Sequence, residues 1–431
     1  MQLFSCNHCH APIFFDNFAC TACGDRLAFL PDLRTMSALE ELSAADEHAQ
    51  LYGALAAPTR CYRMCRNAEK YDACNWAVEQ DDPEELCIAC RLNDVIPNID
   101  EPKQRAAWLQ LEAAKRRLMY SLYLLKLPVE PRAQRPLNGL SFRFMAGEKE
   151  KQVFTGHNDG VITINVAEAD DPFREKMRAQ LGEAYRTLLG HFRHEIGHYY
   201  WDRLIKGTRH LTTYRELFGD ESVSYQQALQ RHYKEGPPRD WANEYVSAYA
   251  SMHPWEDWAE TWAHYLHIFD TLETAKTYGL RVQFGTGTAS GERLVDAAEV
   301  DVDNFDKMAR DWVPVTLALN SLNRSMGLRD LYPFVLTETA LKKLRFVHEI
   351  IRNAGHAASR VSSSEATMVA IGGEAREAAD ARDEANQRLP ANDVLSGSSD
   401  ERTSRVQRIR GPDDDFFRSE PHPEQQTAVA S

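Results

Sequence analysis

Beyond Cys90 the chain has no cysteine: all nine fall between Cys6 and Cys90, and none lies in the 341 residues that follow. A secreted chain of this length usually spreads disulfides throughout, so this distribution argues against a disulfide framework. It points to paired thiols used as metal ligands in a reducing compartment, and a cytoplasmic location is expected. No run of about 18 apolar residues occurs, which excludes a membrane-spanning helix. The best short stretch, Leu118 to Leu127, is broken by Tyr120, Ser121, Tyr123 and Lys126. The opening MQLFSCNHCH lacks a charged segment followed by an apolar one, so no secretory leader is expected. Positive charge is also short. Fifty Lys and Arg against 64 Asp and Glu leave a formal charge of −14, which disfavours nucleic acid or an anionic membrane as a partner. A local basic stripe at Lys115-Arg116-Arg117 stays open.

What is present is enough for a real core: 431 residues, 43% hydrophobic, with eight tryptophans. The expected class is α+β and mostly helical. Small N-terminal zinc-ribbon modules should precede a zincin-like domain with a short sheet and a motif-bearing helix. The expected parts are a ribbon at 1–30, a second cysteine-rich module at 58–100, the main domain at 101–355 and a disordered tail at 356–431. Residues 31–57 read as a helical connector. Trp108, Leu111, Ala114, Leu118, Leu122 and Leu125 recur at helical spacing and predict an amphipathic helix over 104–127. The segments LSFRFM, QVFTG and VITINV, the last two separated by His157-Asn158-Asp159-Gly160, read as strands and a tight turn. Helices follow from Asp171 to about Leu204, over 212–268 with breaks at 236–238 and 253–254, and over 303–355. Phe284 to Gly291 reads as a loop. The tail is Ser-, Ala- and charge-rich, with at most a transient helix near Glu374–Arg388.

Cys6-x2-Cys9 and Cys20-x2-Cys23 are two knuckles ten residues apart. Four thiolates close a tetrahedral shell around Zn²⁺ and leave no open position, which defines a structural site. Thirty residues cannot build a core without such a staple. Of the other five, Cys87-x2-Cys90 is a clear knuckle. Cys65 and Cys74 are the expected remaining ligands of a second zinc, with Cys61 in competition with Cys65.

The run His194-Glu195-Ile196-Gly197-His198 carries the chemistry. Two histidines four residues apart share one helix face and can reach one metal ion, and Glu195 beside the first can activate a water. A hydrolase also needs a third protein ligand and an open fourth position. A metzincin would need Gly at 201 and His at 204; Trp201 and Leu204 exclude it. Three options remain by spacing: Glu216 with Asp220, Asp220 alone, or Glu256 with Glu260. In the last, Glu256 would bind metal and Glu260 would orient a ligating histidine. His191, His264, His267 and His253 read as packing, surface or turn residues, and Trp255, Trp258 and Trp262 as core.

HExxH followed by Y-x6-E-x3-E resembles anthrax lethal factor and the related bacterial titration-factor peptidases. Here Tyr249 stands seven residues before Glu256, which lies 58 residues beyond His198. That resemblance covers about 70 residues. It implies Glu256 as third ligand and Tyr249 as an oxyanion donor. A longer resemblance covers residues 1 to about 355. The CxxC pairs, CNWAV, CIACRLNDVIPNI, HEIGHYYWDRL, RELFGD, SAYASMHPWEDWAETWAHYLHI and DLYPFVL are similar to a bacterial family of zinc-binding metallopeptidases with an N-terminal zinc ribbon. It implies peptidase chemistry and a peptide or protein substrate, without naming which.

The expected function is hydrolysis of peptide bonds by a zinc-activated water, with Glu195 as general base. VITINV is expected to bind an extended peptide by edge pairing. The alternative is a non-catalytic ribbon protein with a remnant zincin domain, acting through protein contacts. An intact Glu195 favours the enzyme, since a remnant would be free to lose it.

Overall fold

The computed structural model describes residues 2–42, 50–147, 153–181, 186–284, 293–296 and 299–357. Strands β1 (Leu3–Ser5) and β2 (Pro12–Phe14) form a hairpin around the first knuckle. A five-stranded antiparallel sheet follows, in the order β3 (Leu27–Leu30), β4 (Thr35–Glu41), β5 (Tyr52–Ala54), β6 (Ala57–Met64), β7 (Ala77–Glu79). This corrects the helical connector expected over 31–57. Thr35–Glu41 is rich in good helix formers, yet pairing Leu27 with Ala38 and Leu30 with Thr35 buries Met36, Ser37, Ala38 and Leu39. Burial on a paired strand outweighs the few tenths of a kcal/mol per residue, at most ~0.7, that separate such propensities. The short helix α1 (Arg66–Tyr71) sits between β6 and β7. The two cysteine segments meet across this sheet: Phe29 bridges to Trp76, and the Asn75 side chain donates to the Phe15 carbonyl (2.6 Å).

Helix α2 (Pro102–Leu124) runs where the periodicity places it and buries Trp108, Leu111, Leu118 and Leu122. It does not present the basic stripe left open above. Lys115 is buried in an ion pair with Glu112 (2.9 Å), and buried Arg116 donates to the Ala73 carbonyl. Only Arg117 reaches the surface, where it pairs with Asp16 (2.6 Å). Two cations consumed inside the fold cannot form an external patch.

A second sheet has the order β10-β11-β9-β8, with β8 at Asn93–Val95, β9 at Ser141–Met145, β10 at Gly156–Asn158 and β11 at Val161–Asn165. β9 lies parallel to β8 and β11, whereas β10 is antiparallel to β11. Two sequence expectations shift here. The middle strand begins only at Gly156, the last residue of QVFTG, and the turn shrinks to Asp159-Gly160. Both have positive φ (46° and 84°), the backbone that lets a two-residue loop follow the twist of its strands. A Cβ on Gly160 would fall 2.4 Å from the Gly139 carbonyl oxygen, so only glycine fits. VITINV is also not an edge: β11 lies between β10 and β9, and the edge strands are β10 and β8.

Helices α3 (Asp171–Leu181), α4 (Leu188–Leu204), α5 (Leu211–Phe218), α6 (Tyr225–Glu235), α7 (Trp241–Glu244), α8 (Pro254–Thr277) and α9 (Phe305–Ser325) follow, and residues 338–357 form a further helix. Arg281–Phe284 pairs with Arg293–Asp296, so Phe284 is strand; the rest of the expected loop lies outside the described residues. The expected disordered tail, with its transient helix, falls outside them apart from its first two positions. Among the described residues no helix is long and apolar enough to cross a membrane.

The crossing of α4 and α8 positions the site. Gly197 lies at the contact: a Cβ there would meet Ala259 Cα and Trp262 Cβ at 3.1 Å. Trp258 Nε1 donates to the Gly197 carbonyl (2.8 Å), and Tyr200 stacks on Trp262 (4.9 Å). Phe192 packs the other side of α4 on Phe142 and Phe144 of β9. Buried polar ties add to this: Arg193 of α4 pairs with Asp270 of α8, and from α2 Ser121 donates to Asp270 (2.8 Å) and Tyr120 to Glu273 (2.9 Å).

Candidate active site

Thr187 opens α4 by accepting the Gly190 amide (3.0 Å). His194 and His198 then fall one turn apart on the face toward α8, with their Nε2 atoms 3.1 Å apart. Helix α8 is started by His253, whose Nδ1 accepts the Trp255 amide (3.0 Å) and whose Nε2–H donates to the Val223 carbonyl (3.1 Å). Pro254 follows at the first helical position, where its missing N–H costs nothing. Glu256 is thereby placed in the first turn of α8. Its Oε2 lies 2.9 Å from His194 Nε2 and 3.5 Å from His198 Nε2.

These three atoms fit a tetrahedral zinc ion. Bonds of about 2.0–2.2 Å imply ligand separations of roughly 3.3 Å. The Glu256 side chain is buried, and Oε2 accepts no hydrogen bond of good geometry. One turn further, Glu260 Oε1 accepts His194 Nδ1–H (2.8 Å), while Oε2 accepts the Ser247 hydroxyl (2.6 Å). With its proton held on Nδ1, His194 turns the Nε2 lone pair inward. His194, His198 and Glu256 thus offer three ligand atoms that could hold a metal ion. Burial disfavours the charged form of Glu260, yet contact with His194 and Ser247 holds its carboxyl down to about 2.

Glu195 is buried beside this group, and burial pushes its carboxyl above the usual range. Trp255 covers His198 at 3.7 Å between ring centroids, and His157 of β10 lies stacked beyond it at 6.3 Å. Trp255 therefore walls the site, whereas Trp258 and Trp262 are core. Tyr249 occupies a single 3₁₀ turn with its ring 6.1 Å from that of His194. A cavity of about 310 Å³ adjoins the group and is lined by His157, Trp201, Asp202, Glu221, Tyr225 and Trp255, among others.

Asp220 and Glu216 do not join the histidines. Both are exposed, and Asp220 accepts the Ser222 amide (2.9 Å). The alternative third ligand at Asp220 has no geometric support, because Gly219 ends α5 and turns the chain outward. Of the remaining histidines, His191 meets Glu168 (3.2 Å), His264 meets Tyr332 (2.6 Å) and His267 meets Arg193. The sequence reading missed Tyr225, whose hydroxyl donates to Glu256 Oε1 (2.8 Å). It lies 31 residues before Glu256 in a polar helix without a motif, and residue type alone could not single it out.

The cysteines gather into two groups of four: Cys6, Cys9, Cys20 and Cys23, and Cys65, Cys74, Cys87 and Cys90. Sulfur separations of 3.8 Å (Cys6–Cys23), 3.6 Å (Cys9–Cys20) and 3.8 Å (Cys74–Cys87) match the roughly 3.8 Å edge of a zinc tetrathiolate. They far exceed a disulfide bond. Amides of Cys23 and Ala22 pull the Cys20 thiol down to about 6. Cys65 joins the second group. Cys61, on β6 opposite Gly53, does not.

A family model described as a putative zinc-binding metallo-peptidase matches residues 104–350, and one described as a zinc-ribbon domain matches residues 3–101. Uncharacterized proteins of Mycobacterium tuberculosis (Rv2568c) and Mycobacterium bovis (Mb2598c) are each 42% identical over 352 residues, covering 81% of this chain and 95% of theirs. No solved structure matches the chain. The family descriptions and the cysteine clusters together support zinc binding, and the peptidase description implies a peptide substrate. With more than half its length matched, the chain belongs to the family of putative zinc-binding metallo-peptidases, with an N-terminal zinc ribbon.

Proposed function

We propose that the protein is a cytoplasmic zinc metallopeptidase whose catalytic ion is held by His194, His198 and Glu256. The convergence of His194 Nε2, His198 Nε2 and Glu256 Oε2 beside buried Glu195 carries this reading. A zinc ion there would polarise the scissile carbonyl and lower the pKa of water. Glu195 takes the proton of the attacking water and passes it to the leaving amine. Its raised pKa brings it nearer the value suited to a base that must next act as an acid. Tyr249 donates a hydrogen bond to the developing oxyanion. Glu260 keeps the His194 ring turned inward. An extended peptide pairs with the free edge of β10, the strand that carries His157 beside the site. The two cysteine groups each hold a structural zinc, giving three ions per chain, and the ribbon offers a surface for a protein partner.

The test uses purified protein and a broad peptide library. Wild type should cleave, and Glu195→Gln should keep its zinc while losing cleavage. A zinc-loaded wild type that cleaves nothing overturns the enzymatic reading and favours a ribbon protein acting by contact alone.

A further inference from the structure

The residue that connects the open cavity to the metal carboxylate is Tyr225. Its side chain lines the cavity and is 36% exposed, yet its hydroxyl reaches inward to Glu256 Oε1 at 2.8 Å. That hydroxyl also meets Tyr249.

The local fold fixes this placement. Ser224 caps α6 by accepting the Gln227 amide, which sets Tyr225 as the first helical residue. His253 holds the preceding segment by donating to the Val223 carbonyl, while its other nitrogen caps α8. One imidazole thus ties the start of α6 to the start of α8, with Tyr225 two residues after Val223 and Glu256 one residue after Trp255. The Tyr225 ring packs on His253 (5.3 Å) and Trp255 (6.0 Å), which limits its freedom.

A carboxylate with both oxygens free can chelate a metal through both. The second oxygen then takes the position a hydrolase must keep for water. In this site Oε1 is already occupied by a donor, and only Oε2 faces the histidines. We propose that Tyr225 is a positioning residue: its hydroxyl caps Glu256 Oε1, presents Glu256 as a one-oxygen ligand and keeps the fourth coordination position open. This rests on the reading of His194, His198 and Glu256 as a metal site.

The test is Tyr225→Phe in the full chain, with Tyr249→Phe as comparator. The readouts are zinc release to a chelator and the visible spectrum after Co²⁺ is loaded into the histidine site. The spectrum is taken as the difference from a His198→Ala variant so that cobalt bound by cysteine cancels. Tyr225→Phe should weaken metal binding about 10- to 100-fold, the range seen when a partner of a ligand is lost. Its cobalt bands should weaken as a fifth ligand atom enters, while Tyr249→Phe leaves both readouts near wild type. Wild-type release and spectrum in Tyr225→Phe would overturn the positioning role and leave the metal site standing. If wild type shows no cobalt signal beyond His198→Ala, both the metal site and the role of Tyr225 fall. No peptide cleavage is needed, so failure of the peptidase reaction is a separate result.

Discussion

The cysteine groups and the His194 group differ in how many ligand atoms the chain gathers, four against three. Each cysteine group offers four sulfurs, enough to close a tetrahedral shell around a zinc ion. The second is wholly buried behind α2. The His194 group offers three atoms from two long crossing helices and lies beside a cavity. Loops that need a staple get a closed site. Helices already packed through Gly197, Trp258 and Trp262 would, on the proposed reading, hold an incomplete one, so the fold around it should not depend on the ion.

The largest effect expected from that contrast is on stability. Cys74→Ser should release one zinc and unfold the N-terminal sheet, since binding of a structural zinc contributes on the order of 10 kcal/mol to folding. His198→Ala should release one zinc with a melting temperature near wild type, read by calorimetry alongside metal analysis. Equal losses in the two variants would erase the distinction. Next is the chemical step: Glu195→Gln should lower kcat by about 10²- to 10⁴-fold with zinc content unchanged. Glu260→Ala frees the His194 ring, and metal affinity should fall about 10- to 100-fold in chelator competition. Gly197→Ala tests the scaffold. The added methyl must displace Ala259 or Trp262, at a cost of about 1–3 kcal/mol in denaturant unfolding.

The smallest effect separates plain electrostatics from metal loss. Glu168, buried under the start of α4, meets Arg186 (2.8 Å) and His191 (3.2 Å). Burial pushes its carboxyl up, but these partners outweigh burial and hold it down to about 2. A lowered folded pKa stabilises at pH above the unfolded value of about 4.3, and that part is lost as pH falls toward 2. Glu168→Gln should therefore narrow the gap to wild type as pH drops from 6 to 3, measured by urea midpoints.

Much of the site was legible because its chemistry demands spacing. HExxH sets His194 and His198 one turn apart on one helix face with Glu195 beside them, and CxxC pairs bring the thiols of each knuckle together. Glu256 was separable from Asp220 only by analogy, since a carboxylate contributed by another helix carries no local signal. Tyr225 was invisible for the same reason. The connector at 31–57 was misread because Thr35–Glu41 favours helix locally, and only its partner strand shows otherwise. The edge strand was placed one strand too late, because pairing order is a long-range property that alternation does not encode. Lys115 and Arg116 look like surface charge until Glu112 and the Ala73 carbonyl are brought beside them.

Zinc per chain in wild type and in Glu256→Ala, measured by native mass spectrometry, tests the contrast most directly. Three ions in the wild type and two in the variant, with the fold retained, are expected. Three in both would contradict Glu256 as the atom that completes the open site.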